Sequence, residues 1–196
     1  MKNYRIYVEK LPRFQVEADT LRKELNNNLG LNLRSLRLLN VYDLFGFSEE
    51  LLEKSRYAVF GEVVTDKVSD ECDLTGKKYL AVEFLPGQFD QRASSAVDCV
   101  RLIEPTADVR IKSSKLLIFD DNITDEEMAR IEHYYINAVE SRRKDLNILS
   151  DMEAAEVKPV AILHGLTALK DEELEGFCKQ YGLAMNADDL REAVKY

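Results

Sequence analysis

Cysteine and histidine are scarce in this chain, and their scarcity removes much chemistry at once. The three cysteines, Cys72, Cys99 and Cys178, are odd in number and far apart. They fit neither a disulfide framework nor a zinc site. They read as reduced thiols, with Cys99 and Cys178 placed on apolar helix faces. The two histidines are His133 and His164. His133 falls in a tyrosine-rich helix end and reads as a structural or surface residue. His164 precedes Gly165 in a turn, exposed enough to titrate near neutral pH. Neither has a serine or cysteine at a spacing that builds a nucleophilic triad. Phosphate loops of the GxxxxGK and GxGxxG kinds are missing as well. No apolar run approaches the roughly 20 residues that span a bilayer. Met1-Lys2-Asn3 leads directly into a strand pattern without the marks of a signal peptide, so a cytoplasmic location is expected. Positive charge is short too: 27 basic against 36 acidic residues leave a net charge of −9. That argues against a nucleic-acid surface and against an anionic membrane face, both of which need a basic stripe.

The 196 residues, 45% of them hydrophobic, allow one good domain and a small second one. A repeated pattern organises them. Val8-Glu9-Lys10-Leu11-Pro12 returns as Val82-Glu83-Phe84-Leu85-Pro86, 74 positions later. The first unit opens with alternating Tyr4, Ile6 and Val8, a half-buried strand. A helix follows, with Ala18, Leu21, Leu25 and Leu29 on one stripe and Gly30 as its stop. Leu36 to Phe47 reads as two strands bent at Asn40. Ser48 caps a helix that runs on to Phe60. Val63-Val64 is a short closing strand. In the second unit Leu80, Val82 and Phe84 share a face, and Ala93, Ala96, Val97, Val100 and Ile103 form a helix stripe. The strand 108–111 then reverses at Lys112-Ser113-Ser114 into Leu116 to Phe119. Thr124 and Glu127 form a capping box for a helix carrying Met128, Ile131 and Tyr135.

Two rounds of strand–helix–strand–strand–helix predict an α+β fold built from duplicated ferredoxin-like βαββα units, their antiparallel sheets covered by helices. The expected divisions are a duplicated domain over 1–140 (repeats about 4–65 and 78–137), a charged connector over 141–159, and a small, mostly helical linker domain over 160–196. Ser141-Arg142-Arg143-Lys144-Asp145 should be solvated. A strand is expected at Val160–Leu163. Leu174, Phe177, Cys178 and Tyr181 line one helix that stops at Gly182, and Asn186 caps another with Asp189 in its first turn. That last helix breaks off at Tyr196, which reads either as a natural end or as a cut at a domain boundary.

The strongest functional feature is the polar collar Gln88, Phe89, Asp90, Gln91 and Arg92, dense in hydrogen-bonding groups on a loop between elements. Asp120-Asp121-Asn122 offers oxygen ligands for a hard cation, but it also suits the start of the following helix. Glu9 and Glu83 occupy equivalent strand ends, where duplication points to a structural role. No active site can be assembled from these groups.

Leu85-Pro86-Gly87-Gln88-Phe89-Asp90-Gln91-Arg92-Ala93 resembles a signature of phosphoribosylformylglycinamidine synthase in its long single-chain bacterial form. Tyr4 to Lys10 is similar to that family's opening strand and Leu38 to Asp43 to its second. Ile136 to Arg142 resembles the end of its first domain. Tyr181 to Met185, with Asp188-Asp189-Leu190, resembles its linker domain. The resemblance implies an enzyme that uses ATP and glutamine to make formylglycinamidine ribonucleotide in purine synthesis. It implies ATP and Mg for a synthetase domain, and no cofactor for this segment. The partners it implies are the synthetase and glutaminase domains of the same enzyme, docked at Gln88–Arg92, with weak self-association of the isolated segment. Ala138, Ser94 and His164 depart from the family's usual residues. The competing expectation is a stand-alone ferredoxin-like module that binds a ligand or a protein.

Overall fold

Six strands, all antiparallel to their neighbours, form one sheet in the order β3-β1-β2-β5-β4-β6. They are β1 (Tyr4–Lys10), β2 (Arg37–Phe45), β3 (Asp66–Ser69), β4 (Lys78–Phe84), β5 (Arg110–Phe119) and β6 (Ser141–Arg143). The computed structural model describes residues 2–119, 123–150, 162 and 164–195. The chain divides into two units, Met1–Ala154 and Ala155–Tyr196.

The first unit is thus a mixed α+β fold. Its helices are α1 (Val16–Leu29), α2 (Glu49–Ser55), α3 (Gln91–Ile103) and α4 (Asp125–Tyr135), and α2 continues into a π-helical turn at Arg56–Phe60. Local chemistry sets several ends. The Ser48 hydroxyl accepts from the Leu51 N–H, Thr124 and Glu127 form a reciprocal capping box, and Gly30 adopts φ 61° to end α1. Gly46 turns β2 towards α2 at φ 79°; an added Cβ there would lie 2.4 Å from the Asp108 carbonyl oxygen.

Within the unit, each half runs strand, helix, strand, helix, strand, and the ladder registers match. Val8 faces Asn40 and Val68; Val82 faces Lys115 and Arg143. Asn40 and Lys115 then face each other in the central pair of strands. β2 and β5 are each continuous, which corrects two expectations. Asn40 is not a bend, and Lys112-Ser113-Ser114 is not a reversal. These polar residues sit mid-strand because both strands are paired on two sides, so the ladder holds the backbone extended. Val63-Val64 is a turn rather than a strand, and both side chains are exposed.

The helices cross between halves. Ile6, Val8, Tyr42 and Leu44 form one cluster with Leu51, Leu52 and Phe60, and with Ala93, Ala96 and Val100 of α3. Leu80, Val82, Leu117 and Phe119 form another with Leu25 of α1 and Ile131 of α4. Burying each large side chain stabilises by roughly 1.5–3 kcal/mol. Because each half's strands are covered by a helix from the other, neither half owns a complete core.

The other face of the sheet is buried too. Leu39, Val41, Ala81, Leu116 and Ile118 pack with Cys72, Leu74 and Leu146 from the segments that follow β3 and β6. The segment after β6 is fixed by charge. Arg5 holds Asp43 through Nε to Oδ1 at 2.5 Å and Nη2 to Oδ2 at 3.0 Å, and also donates to the carbonyls of Leu146 and Ile148. Lys144 Nζ lies 2.9 Å from Asp43 Oδ2 and 2.8 Å from Glu83 Oε2, and Arg142 Nε donates to Glu83 Oε1 at 2.9 Å. Ser141 to Lys144 is therefore not a solvated connector. Ser141–Arg143 is an edge strand, and Lys144, directly after it, is buried against carboxylates from β2 and β4.

In the second unit α5 (Leu174–Tyr181) and α6 (Ala187–Val194) bury Leu174, Phe177, Cys178 and Leu190. Gly182 ends α5 at φ 61°, and Asn186 with Asp189 caps α6. Tyr181 is exposed. The cluster Asp120-Asp121-Asn122 and, apart from Ile162, the strand expected at Val160–Leu163 lie outside the described residues.

Candidate functional site

The collar begins where β4 stops. Pro86 and Gly87, the latter at φ 87°, reverse the chain, and the Gln88 N–H closes the turn on the Leu85 carbonyl at 3.0 Å. Leu85 N–H donates to the Glu140 carbonyl at 2.8 Å, and Gln88 Nε2 to the Val139 carbonyl at 3.3 Å. The turn is thereby stitched to the loop entering β6. The same stitching occurs at the opposite end of the sheet. There Leu11 N–H donates to the Thr65 carbonyl at 2.8 Å and Phe14 N–H to the Leu11 carbonyl at 3.0 Å.

Asp90 is the anchor. Its Oδ1 accepts from the Ala93 N–H at 2.9 Å, capping α3, and from Ser113 Oγ at 2.9 Å; its Oδ2 accepts from the Ser113 N–H at 2.8 Å. β4 ends its pairing with β5 at Glu83 opposite Ser114, so Asp90 takes over the next backbone donor of β5. This binds α3 to the sheet and explains why Ser113 belongs there.

The five collar residues do not share one role. Phe89 is 74% exposed and shares this end of the sheet with Val139, 79% exposed, and with exposed Phe84. Gln88 bridges to that loop. Asp90 is spent on structure. Gln91 and Arg92 belong to α3 and border a groove of about 760 Å³. Arg92 Nη1 donates to Tyr42 Oη at 3.4 Å. Ser95, Cys99, Ser113, Lys115, Phe84 and Tyr135 also line this groove. Lys115 Nζ is 2.7 Å from Glu17 Oε1 of α1. Burial, with Glu17 and Glu24 nearby, pushes the Tyr135 phenol up to about 12, so it stays a neutral donor.

Sequence reading missed Tyr42, Ser95, Lys115 and Tyr135. The one available signal is Lys115 following Ser113-Ser114 inside an otherwise apolar strand, a stretch whose polarity points to a reversal at Lys112-Ser113-Ser114. Cys99 was expected on an apolar face, but it lies one position off the buried stripe of α3 and is exposed. Glu9 is held bidentately by Arg37, at 2.7 and 2.6 Å, while Glu83 is held by Arg142 and Lys144. Both are committed to ion pairs. His133 and His164 are exposed. Among the described residues no group of three or more His, Cys, Asp or Glu side chains could hold a metal ion, and no helix is long and apolar enough to cross a membrane. Neither a protein-family model nor a curated protein matches the chain.

Proposed function

We propose that the chain is a non-catalytic scaffold: the N-terminal and linker portion of a phosphoribosylformylglycinamidine synthase of the long single-chain kind. Its first unit is then a duplicated α+β unit of the ferredoxin-like type, in which one long strand replaces each expected hairpin. The matched ladder registers, and the matched stitching of Leu11 to Thr65 and Leu85 to Glu140, support duplication. The work of such a scaffold is to hold a synthetase and a glutaminase domain together, in the cytoplasm, so that ammonia released at one site reaches the other without escaping to water. ATP and Mg belong to the synthetase domain.

The observation that carries the docking role is apolar surface at the collar. Phe84, Phe89 and Val139 stay in water beside a turn that three hydrogen bonds hold in place. Rigid, exposed apolar side chains bordered by polar groups are what an interface core needs before its partner arrives. Phe14, Val63 and Val64 give the other end of the sheet a similar apolar character. Complementation tests this reading. The chain is added to the catalytic domains of a synthase of this family, and glutamine-dependent and ammonia-dependent amidation are assayed separately. Restoration of the glutamine-dependent rate well beyond the ammonia-dependent one supports the scaffold. No association and no change in either rate sinks it, and a stand-alone ligand-binding module, to which the Arg92 groove is suited, takes its place.

A further inference from the structure

We propose that the groove bordered by α3, β4 and β5 binds a small organic oxyanion, its carboxylate or phosphate held by Arg92 and Lys115 and its apolar body by Phe84, Phe89 and Tyr135. This goes beyond the scaffold reading and does not depend on it.

Four observations converge. The first is size: about 760 Å³ falls in the range of small-molecule sites, roughly 300–1,000 Å³. The second is an uncommitted guanidinium. Arg5, Arg37, Arg56, Arg142, Arg143 and Arg191 all hold carboxylates. Among the described residues Arg92 meets only the Tyr42 hydroxyl, at a long 3.4 Å, and no carboxylate. Arg92 is exposed at the groove, and its planar fork is free to take an oxyanion there.

The third observation is a broken correspondence between the halves. Ala18 of α1 and Ala93 of α3 are both 5% exposed, and Leu25 and Val100 are both fully buried, so the helices can be laid over each other at that spacing. Leu21 then corresponds to Ala96, and Glu17 to Arg92. On one side Glu17 closes on Lys115. The corresponding pair on the other side is Arg92 with Asn40, and Asn40 Oδ1 is buried without a hydrogen-bond partner. Ala96, in the place of Leu21, lines the groove and leaves it room, and a cation stands where the counterpart has a carboxylate. The fourth is the arrangement of charge. Lys115 is pinned only by an exposed glutamate, a weak pair that a ligand can share. Glu83 borders the groove, but its carboxylate is already occupied by Arg142 and Lys144, and Glu140 lies exposed at the rim.

The test is an amide-resolved NMR titration of the intact chain with phenyl phosphate, with inorganic phosphate and phenol as separate arms. Saturable shifts are expected at amides of 91–99 and 113–115, with phosphate alone weaker and phenol alone weaker still. Arg92→Gln should weaken phenyl phosphate by about tenfold or more, the usual loss for a hydrogen bond to a charged group. Ser95→Phe, an exposed position that fills the groove without altering charge, should weaken it comparably. The proposal is overturned by an absence of saturable shifts, by shifts confined elsewhere, by undiminished affinity in Arg92→Gln, or by phosphate binding as tightly as phenyl phosphate. Complementation of catalytic domains can succeed or fail independently of all four.

Discussion

The two ends of the sheet share one backbone plan and differ in what their side chains commit to it. At the first end α1 starts after Gln15, whose side chain makes no capping bond, and the closing strand β3 is tied through a buried Asp66 to a half-exposed Lys10, to the Thr65 hydroxyl and to the Glu62 N–H. At the second end Asp90 makes three bonds that cap α3 and hold β5, and β6 is tied by a buried chain of charges through Lys144, Asp43 and Glu83. The backbone turns match, yet buried charge ties the second end more firmly than the first, where Glu9 with Arg37 and Asp66 with Lys10 each pair with a partly exposed cation. Rigidity is useful where a surface must keep its shape for a partner, and the rigid end is the one that carries the collar.

That contrast can be broken in order of size. Asp43→Ala removes the carboxylate between Arg5 and Lys144 and leaves the largely buried Arg5 guanidinium without one, while Lys144 keeps Glu83. A loss of about 3–5 kcal/mol is expected in urea unfolding. Asp66→Ala, at the first end, should cost less, about 1–3 kcal/mol, since the Glu62 N–H loses its acceptor but Lys10 can reach solvent. Equal losses would erase the asymmetry.

Asp90→Ala removes a cap and orphans the Ser113 N–H, for about 1–3 kcal/mol. Gln15→Ala should stay within about 0.5 kcal/mol, as for a surface change. Hydrogen exchange at the amides of 91–95 and 113 would show the Asp90 effect locally, and unchanged protection there would contradict its anchoring role.

A smaller effect concerns pH. Burial works to raise the Asp66 carboxyl, but the Glu62 N–H, Lys10 and Thr65 outweigh it and hold the group below its usual range. A carboxyl depressed in the fold stabilises above its unfolded value, near 3.9, and that contribution is lost as pH falls through the folded value. Urea stability should therefore decline below about pH 4, and Asp66→Asn should flatten part of the decline. An identical acid limb in the variant would show that Asp66 does not contribute.

Smallest of all in stability is Phe89→Asp. Its side chain is in water already, so unfolding should shift by no more than about 0.5 kcal/mol. Its expected consequence is for docking.

The caps and helix stripes were legible because each is written within a few residues: Ser48, Thr124 with Glu127, Asn186 with Asp189, and the glycines at 30 and 182. The failures share a different cause. Lys112-Ser113-Ser114 looked like a turn because the carboxylate that satisfies Ser113 is Asp90, 23 positions away. Ser141 to Lys144 looked solvated because Glu83 and Asp43, which neutralise it, lie about 60 and 100 positions earlier. Asn40 looked like a bend because nothing local reveals a strand paired on both sides. In the collar, exposure of Phe89 and the turn at Gly87 were readable, but the separation of Asp90 from Arg92 was not. It follows from where β4 ends on β5.

The scaffold account is tested most directly by adding the chain, as wild type, Phe89→Asp or Phe14→Asp, to the catalytic domains and measuring the ratio of glutamine-dependent to ammonia-dependent amidation. The account predicts that wild type raises the ratio, that Phe89→Asp abolishes most of the rise while remaining folded, and that Phe14→Asp retains more of it. A ratio unmoved by the wild-type chain, or raised equally by wild type and Phe89→Asp, would contradict it.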